Sequence, residues 1–249
     1  MAKNAVLGYI SVMESTRILL LHGWGSSHRY WKKVIDILGK RGVELIVPDM
    51  PGFGDNPPPP KPWRGSDYQN WVLKFIAENG LQTPLILAGH SFGGGLAMKL
   101  AIDRPELIKK LVLIASARMY VKKSLYKKIL SEIAKFGKKF SPFIPFFDIV
   151  RKIVYRFVIR EMDYARTSGT MKATFINVIK EDLTPQIGRI KTPTLIVWGN
   201  KDRATPLEHA YLLNEKIDGS ELVVIESAGH AVNLEAPEKV AEAVYNFIK

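Results

Sequence analysis

The sequence predicts an α/β fold: a mostly parallel sheet flanked by helices, with one helical segment inserted into it. Three observations carry this prediction. Short apolar, β-branched runs recur along the chain, helical patterns fill the intervals between them, and the alternation breaks once, over residues 117–191. Strands buried on both faces read as continuous apolar runs, and strand–helix–strand repeats close into parallel sheets through right-handed crossovers.

Strands are expected at Ile18–Leu21, Glu44–Pro48, Leu85–Ala88, Leu111–Ala115, Thr194–Trp198 and Leu222–Ile225. Each is a short apolar run bounded by turn residues. Helical spacing of apolar residues predicts helices at Tyr30–Leu38, Trp71–Glu78, Gly94–Ile102, Leu207–Lys216 and Pro237–Ile248. A further strand or hairpin is expected within Val6–Met13. Between Ala117 and Lys191 only helical patterns occur, broken at Ser141-Pro142, Ile144-Pro145 and Ser168-Gly169. The expected organisation is therefore a core of residues 1–116 and 192–249, with residues 117–191 forming a helical lid (cap) over the strand ends. Pro57–Pro60 with Pro62 reads as a stiff surface connector.

Composition narrows the function classes. At 249 residues the chain can bury one large core, and 47% hydrophobic with 24% charged residues is ordinary for a globular enzyme. Cysteine is absent, which removes disulfides and thiolate metal sites. None of the five histidines (His22, His28, His90, His209, His230) falls in the His-Glu-x-x-His pattern, so neither a metal nor a cofactor is expected. The N-terminus lacks a charged start followed by an apolar stretch of roughly 7–15 residues, and no apolar run of about 18 occurs. A cytoplasmic protein without a membrane span is the expectation. The net charge of +12 is concentrated between Arg118 and Arg189, where 16 Lys/Arg stand against 6 Asp/Glu. No nucleic-acid-binding motif accompanies that stretch, so nucleic acid is not an expected partner.

The chemistry centres on Gly89-His90-Ser91-Phe92-Gly93. An apolar strand precedes it and a helix follows, which makes Ser91 the serine of a sharp strand-to-helix elbow. A serine needs a base to take its proton. His230 lies in the small-residue loop Ser227–Ala231 after the last strand, where it can reach the sheet edge that carries the elbow, whereas His209 sits in an amphipathic helical pattern and reads as a surface residue. The imidazole needs an acid to set its tautomer. Asp202 follows the Thr194–Trp198 strand and completes the order Ser…Asp…His. The rival Asp49 precedes the serine, and Asp49–Gly54 reads as a structural turn. In His22-Gly23-Trp24-Gly25 the glycines admit a substrate close to the backbone, so the amides of Trp24 and Phe92 are the expected oxyanion donors. His22, inside that turn, is expected to hold the loop.

Together, Leu21–Gly25, Asp49–Gly54, Gly89–Gly94, Trp198–Asp202 and Ala228–His230 resemble the blocks of the α/β-hydrolase superfamily across nearly the whole chain. The His-Gly-Trp-Gly form is similar to that of the pimeloyl-acyl-carrier-protein methyl ester esterase branch and related carboxylesterases. Family members often carry Ser shortly after Pro-Gly-x-Gly, where this chain has Asp55-Asn56, away from any catalytic position. The resemblance implies a serine hydrolase of carboxylic esters, acting on a small-molecule or acyl-carrier-borne substrate through an acyl-enzyme on Ser91. Haloalkane dehalogenases and epoxide hydrolases of this superfamily have Asp at the nucleophile position, so Ser91 argues against both. Carbon–carbon hydrolases, lactonases and cofactor-free perhydrolases keep the serine and stay open, as does a non-catalytic ligand receptor on the same fold.

In the lid, Leu125, Ile129, Ile133, Phe136 and Phe140 fall on one side of a helix, with Lys123, Lys127, Lys128, Lys135, Lys138 and Lys139 on the other. Phe143, Ile144, Phe146 and Phe147 follow. The simpler expectation is a lid helix with a solvated basic face. The sharper one is that this face recruits an anionic partner, an acidic acyl carrier or a lipid surface.

Overall fold

In the computed structural model, residues 16–119 and 169–249 are described. Six strands form one sheet: β1 (Thr16–Leu21), β2 (Val43–Ile46), β3 (Leu85–His90), β4 (Ile108–Ile114), β5 (Thr194–Gly199) and β6 (Glu221–Ile225). Their order is β2-β1-β3-β4-β5-β6, and each neighbouring pair is parallel. All six predicted strands are present, with ends shifted by at most three residues. The expected hairpin within Val6–Met13 lies outside the described residues.

The helices are α1 (Lys32–Gly39), α2 (Gly65–Glu78), α3 (Phe92–Asp103), α4 (Gly169–Ile179), α5 (Glu208–Lys216), α6 (Val232–Glu235) and α7 (Pro237–Ile248). The first turn expected at Tyr30 is instead a 3-10 turn, His28–Trp31. Helix α2 begins six residues before its predicted start. Its first residues, Gly-Ser-Asp, look like loop, but the Asp67 carboxylate accepts the Arg64 N–H at 2.7 Å and caps the helix.

The strands are largely apolar because helices cover both faces; the polar residues Thr16 and Arg17 of β1, Glu44 of β2, Lys109 of β4 and Glu221 of β6 are exposed. Leu19, Leu87, Leu111 and Ile196 point to one face, against Val72 and Ile76 of α2, Leu96 and Leu100 of α3 and Leu213 of α5. Ile18, Leu20, Ile86, Val112 and Val197 point to the other, against Val34 and Leu38 of α1 and Val240 and Val244 of α7. Fully burying one such side chain is worth about 1.5–3 kcal/mol, so the two layers fix the register of the whole sheet.

Strand order places the crevice. The chain leaves β1 for α1 on one face and leaves the adjacent β3 for α3 on the other. Loops that diverge in this way open a cleft beyond the C-terminal strand ends, between Leu21 and His90.

Of residues 117–191, between β4 and β5, residues 117–119 and 169–191 are described; they contain α4 and a 3-10 turn, Thr184–Arg189, and no strand. The two described ends of this segment are joined. The Leu183 N–H donates to the Arg118 carbonyl at 3.0 Å, and the buried Arg118 guanidinium pairs with Glu181. Glu181 also accepts the Gly65 N–H at 2.8 Å, tying this segment to the start of α2. The predicted basic helix of Leu125–Phe140 and the following aromatic cluster lie outside the described residues. No described helix is long and apolar enough to cross a membrane.

Candidate active site

Ser91 occupies the turn between β3 and α3 with φ 51° and ψ −115°, in the left-handed half of backbone space that a serine rarely enters. Such a conformation costs on the order of 1–3 kcal/mol and persists only where the surroundings hold it. Here the Ser91 N–H donates to the Ile114 carbonyl at 3.0 Å, and the Ser91 carbonyl accepts from Gly95 and Ala117 at 3.1 and 2.9 Å. The flanking glycines are required by space: a methyl group on Gly89 would collide with the Gly93 backbone, and one on Gly93 with the Leu21 carbonyl. The elbow therefore presses the start of α3 against the end of β1.

The structure brings together the three residues the sequence singled out. The Ser91 hydroxyl lies 2.9 Å from His230 Nε2, and His230 Nδ1 lies 2.8 Å from an Asp202 oxygen. A carboxylate only accepts, so Nδ1 carries the ring proton and Nε2 is free to accept from the serine. The Asp202 side chain is completely buried, and both oxygens are used. One accepts the N–H groups of Ala204 and Thr205 at 2.8 and 2.9 Å; the other takes His230 and the Thr205 hydroxyl at 2.7 Å. Burial pushes the Asp202 carboxyl up, but the bonds from His230 and Thr205 outweigh it and leave it below its ordinary value. It stays ionised beside His230.

Thr205 was not singled out from the sequence. Its hydroxyl lies 2.7 Å from Asp202, 3.2 Å from the Ala115 carbonyl and 3.2 Å from His230 Nδ1, so it buttresses both acid and base. The only trace of it in the chain is its place three residues after Asp202, where an Asx-type turn is common.

Trp24 and Phe92 flank the serine from the β1 and β3 loops. Phe92 is the first residue of α3, so its N–H has no partner within the helix and points out of the helix start, where the dipole favours negative charge. The Trp24 ring packs edge-on against Phe53 and Phe92, with centroids at 4.8 and 5.4 Å, and Phe175 of α4 approaches it at 5.0 Å. These rings form an apolar cluster next to the elbow, with Phe53 and Phe92 buried and Trp24 partly exposed.

The remaining candidates sit apart from this constellation. The Met50 N–H donates to His22 Nε2 at 3.1 Å, and His22 Nδ1–H donates to the Gly23 carbonyl at 2.8 Å. His22 thus ties the glycine turn to the next loop, and burial holds its pKa down. Asp49 accepts the His28 N–H at 2.7 Å and faces His28 Nδ1 at 2.9 Å, while its own carbonyl accepts from Asn56 at 3.0 Å. It fastens loops together, as its turn sequence suggests. His209 is half-buried on α5 rather than a surface residue, because its face of that helix turns partly toward the sheet.

A parallel sheet with this strand order, carrying a serine elbow at its C-terminal edge, defines an α/β hydrolase. The chain belongs to the Alpha/beta hydrolase family, whose model matches residues 18–243. The AB hydrolase superfamily protein YisY of Bacillus subtilis is 30% identical, over 92% of this chain and 90% of that protein. The pimeloyl-[acyl-carrier protein] methyl ester esterase of Aeromonas salmonicida is 27% identical, over 93% of this chain and 94% of its own length. Among solved structures, the esterase from Exiguobacterium antarcticum superposes with a TM-score of 0.71 at 23% identity, covering 94% of this chain and 91% of that one, a likeness of fold.

Proposed function

We propose that the protein hydrolyses carboxylic esters through an acyl-enzyme on Ser91. The observation that carries this reading is the unbroken line of contacts Ser91 Oγ–His230 Nε2 and His230 Nδ1–Asp202, at 2.9 and 2.8 Å. In the first half-reaction Ser91 attacks the ester carbonyl while His230 takes the hydroxyl proton. Negative charge then develops on the carbonyl oxygen, and the amides of Trp24 and Phe92 stabilise it. Collapse expels the alcohol, which leaves with the proton held on His230. In the second half-reaction His230 takes a proton from a water as its oxygen attacks the acyl carbon; the acyl–Oγ bond then breaks, the acid departs, and His230 returns the proton to Ser91. Asp202 stays ionised throughout and stabilises the transient imidazolium.

The aromatic cluster of Trp24, Phe53 and Phe92 beside the elbow supports an apolar acyl group, and the likeness to a carrier-linked methyl ester esterase supports ester over other acyl substrates. Residues 117–191 are proposed as the lid that shapes acyl and alcohol preference. The test is a panel of short p-nitrophenyl esters, lactones and a carbon–carbon substrate given to purified protein. Fastest turnover of the esters is expected. Preference for a lactone or for carbon–carbon cleavage would keep the triad and replace the substrate class, and no turnover of any would favour a ligand receptor.

A further inference from the structure

His90 precedes Ser91, is only 8% exposed, and takes no part in the mechanism above. Its Nε2 lies 3.0 Å from the backbone carbonyl of His230, across 140 positions of sequence. A carbonyl only accepts, so Nε2 carries a proton, and in the neutral ring that burial enforces Nδ1 is bare. Nδ1 has no hydrogen-bond partner among the described residues and packs against Gly23, where a methyl group would stand 2.9 Å from it and 3.3 Å from the Ser91 Cβ. The ring of the fully buried Trp31 meets the imidazole edge-on at 5.8 Å and closes the remaining side. One side chain thereby touches the elbow, the glycine turn of Trp24 and the loop of His230.

We propose that His90 is a positioning residue for the hydrolytic reaction, its Nε2–H clamping the His230 backbone so that the catalytic ring stays in register with Ser91. The proposal rests on the triad reading above. Asp202 fixes the far end of the His230 ring; Glu235 accepts the N–H of the preceding Gly229 at 2.7 Å, and His90 is the side chain seen to bond the backbone of His230 itself among the described residues. Because His90 and Ser91 are consecutive, the clamp moves with the nucleophile. A misplacement of about 1 Å in a reacting group can lower a rate roughly 10²-fold, so a fixed backbone here matters to kcat.

The clamp must also be neutral. The His90 and His230 rings are 5.1 Å apart, and His230 becomes cationic during each half-reaction. Burial, reinforced by the neighbouring His230, holds the His90 pKa down at about 3, so it adds no opposing charge.

The test combines two substitutions with the state of the wild-type ring. His90→Phe keeps the volume and removes the donor, and it should lower ester kcat about ten- to a hundredfold with KM nearly unchanged. His90→Gln places an amide N–H near the Nε2 position and should restore most of the loss. Side-chain ¹⁵N NMR of the wild type should show His90 as the Nε2–H tautomer, without titration from about pH 5 to 9. Wild-type kcat in His90→Phe, or equal losses in both variants, would mean that the ring acts by packing and would overturn the proposal. If His90→Phe fails to fold, the tautomer decides: Nδ1–H or a titrating ring overturns the clamp, and a fixed Nε2–H with an active His90→Gln supports it. A wild type that neither turns over ester nor reacts with a serine-directed phosphonate overturns the triad reading and this proposal together, whereas an active wild type with an unaffected His90→Phe overturns this proposal alone.

Discussion

His230 Nε2 stands 2.9 Å from the Ser91 hydroxyl although 139 positions of sequence separate them. The two residues come from loops after β6 and β3, and Asp202 comes from the loop after β5. Neighbouring parallel strands deliver their following loops to the same edge, so the sheet itself supplies the meeting point. What remains is local accuracy, and the bonds around Asp202 are where that accuracy resides.

Asp202→Asn should lower kcat by about 10⁴-fold while leaving the fold intact, because an amide in place of the carboxylate favours the wrong tautomer of His230. Asp49→Asn should instead reduce thermal stability and leave kcat close to wild type, since Asp49 bonds to His28 and not to His230. Steady-state kinetics and melting curves of the two variants separate the roles. A larger kcat loss at Asp49 in a folded protein would reverse the assignment.

Thr205→Val removes the hydroxyl that lies 2.7 Å from Asp202 but keeps the shape. A hydrogen bond to a charged group is worth about 1.5–3 kcal/mol, so kcat should fall roughly ten- to a hundredfold, and Thr205→Ser should stay near wild type. Equal kcat in Val and Ser variants would show that the hydroxyl leaves the acid unaffected.

Much of this was legible in the chain, for reasons that differ by element. Leu85–Ala88 and Thr194–Trp198 read as strands because both faces are buried, and the glycines around Ser91 mark a turn that admits no side chain. Ser91, Asp202 and His230 were legible because each lies in the short turn or loop that follows a strand of the sheet: Ser91 directly after β3, Asp202 three residues after β5 and His230 five after β6. Thr205 and His90 were not, since their roles depend on bonds to Asp202 and to the His230 carbonyl that no local pattern encodes. The start of α2 was missed for a similar reason: Gly65 follows a proline-rich stretch, and its N–H is held by Glu181, 116 positions away.

Trp24→Pro deletes the backbone N–H proposed as an oxyanion donor. Loss of one such donor costs about 10²–10³-fold in kcat, and that is the expected effect, with folding checked by circular dichroism. A folded proline variant with full activity would exclude Trp24 from the role.

Glu181→Gln should destabilise the protein by leaving the buried Arg118 guanidinium without its counter-charge. Breaking a fully buried pair costs about 3–5 kcal/mol. Because the Glu181 side chain is 30% exposed, about 2–3 kcal/mol is expected, read as a fall in denaturant midpoint. An unchanged midpoint would mean that the pair does not hold together the two ends of the segment between β4 and β5.

Acid should unfold the protein through its carboxylates. Asp49 and Asp202 sit below the ordinary value of 3.8: at each, burial pushes upward, but hydrogen bonds outweigh it. The unfolded chain therefore binds more protons in the window between 3.8 and the lower folded values, so stability is complete above about pH 5 and falls as the pH drops through that window. Melting temperature measured against pH should fall on the acid side, and Asp49→Asn should flatten that fall. A melting temperature that rises on acidification would contradict this sign.

The central claim is that Ser91 is the nucleophile, and intact-mass analysis with a serine-directed phosphonate tests it most directly. Wild type should gain the mass of one phosphonyl group, located by peptide mapping on the fragment containing Ser91, with loss of ester turnover in step with labelling. Ser91→Ala should fold normally, take up no label and show no turnover. Labelling at another residue, or undiminished turnover by Ser91→Ala, would contradict the account.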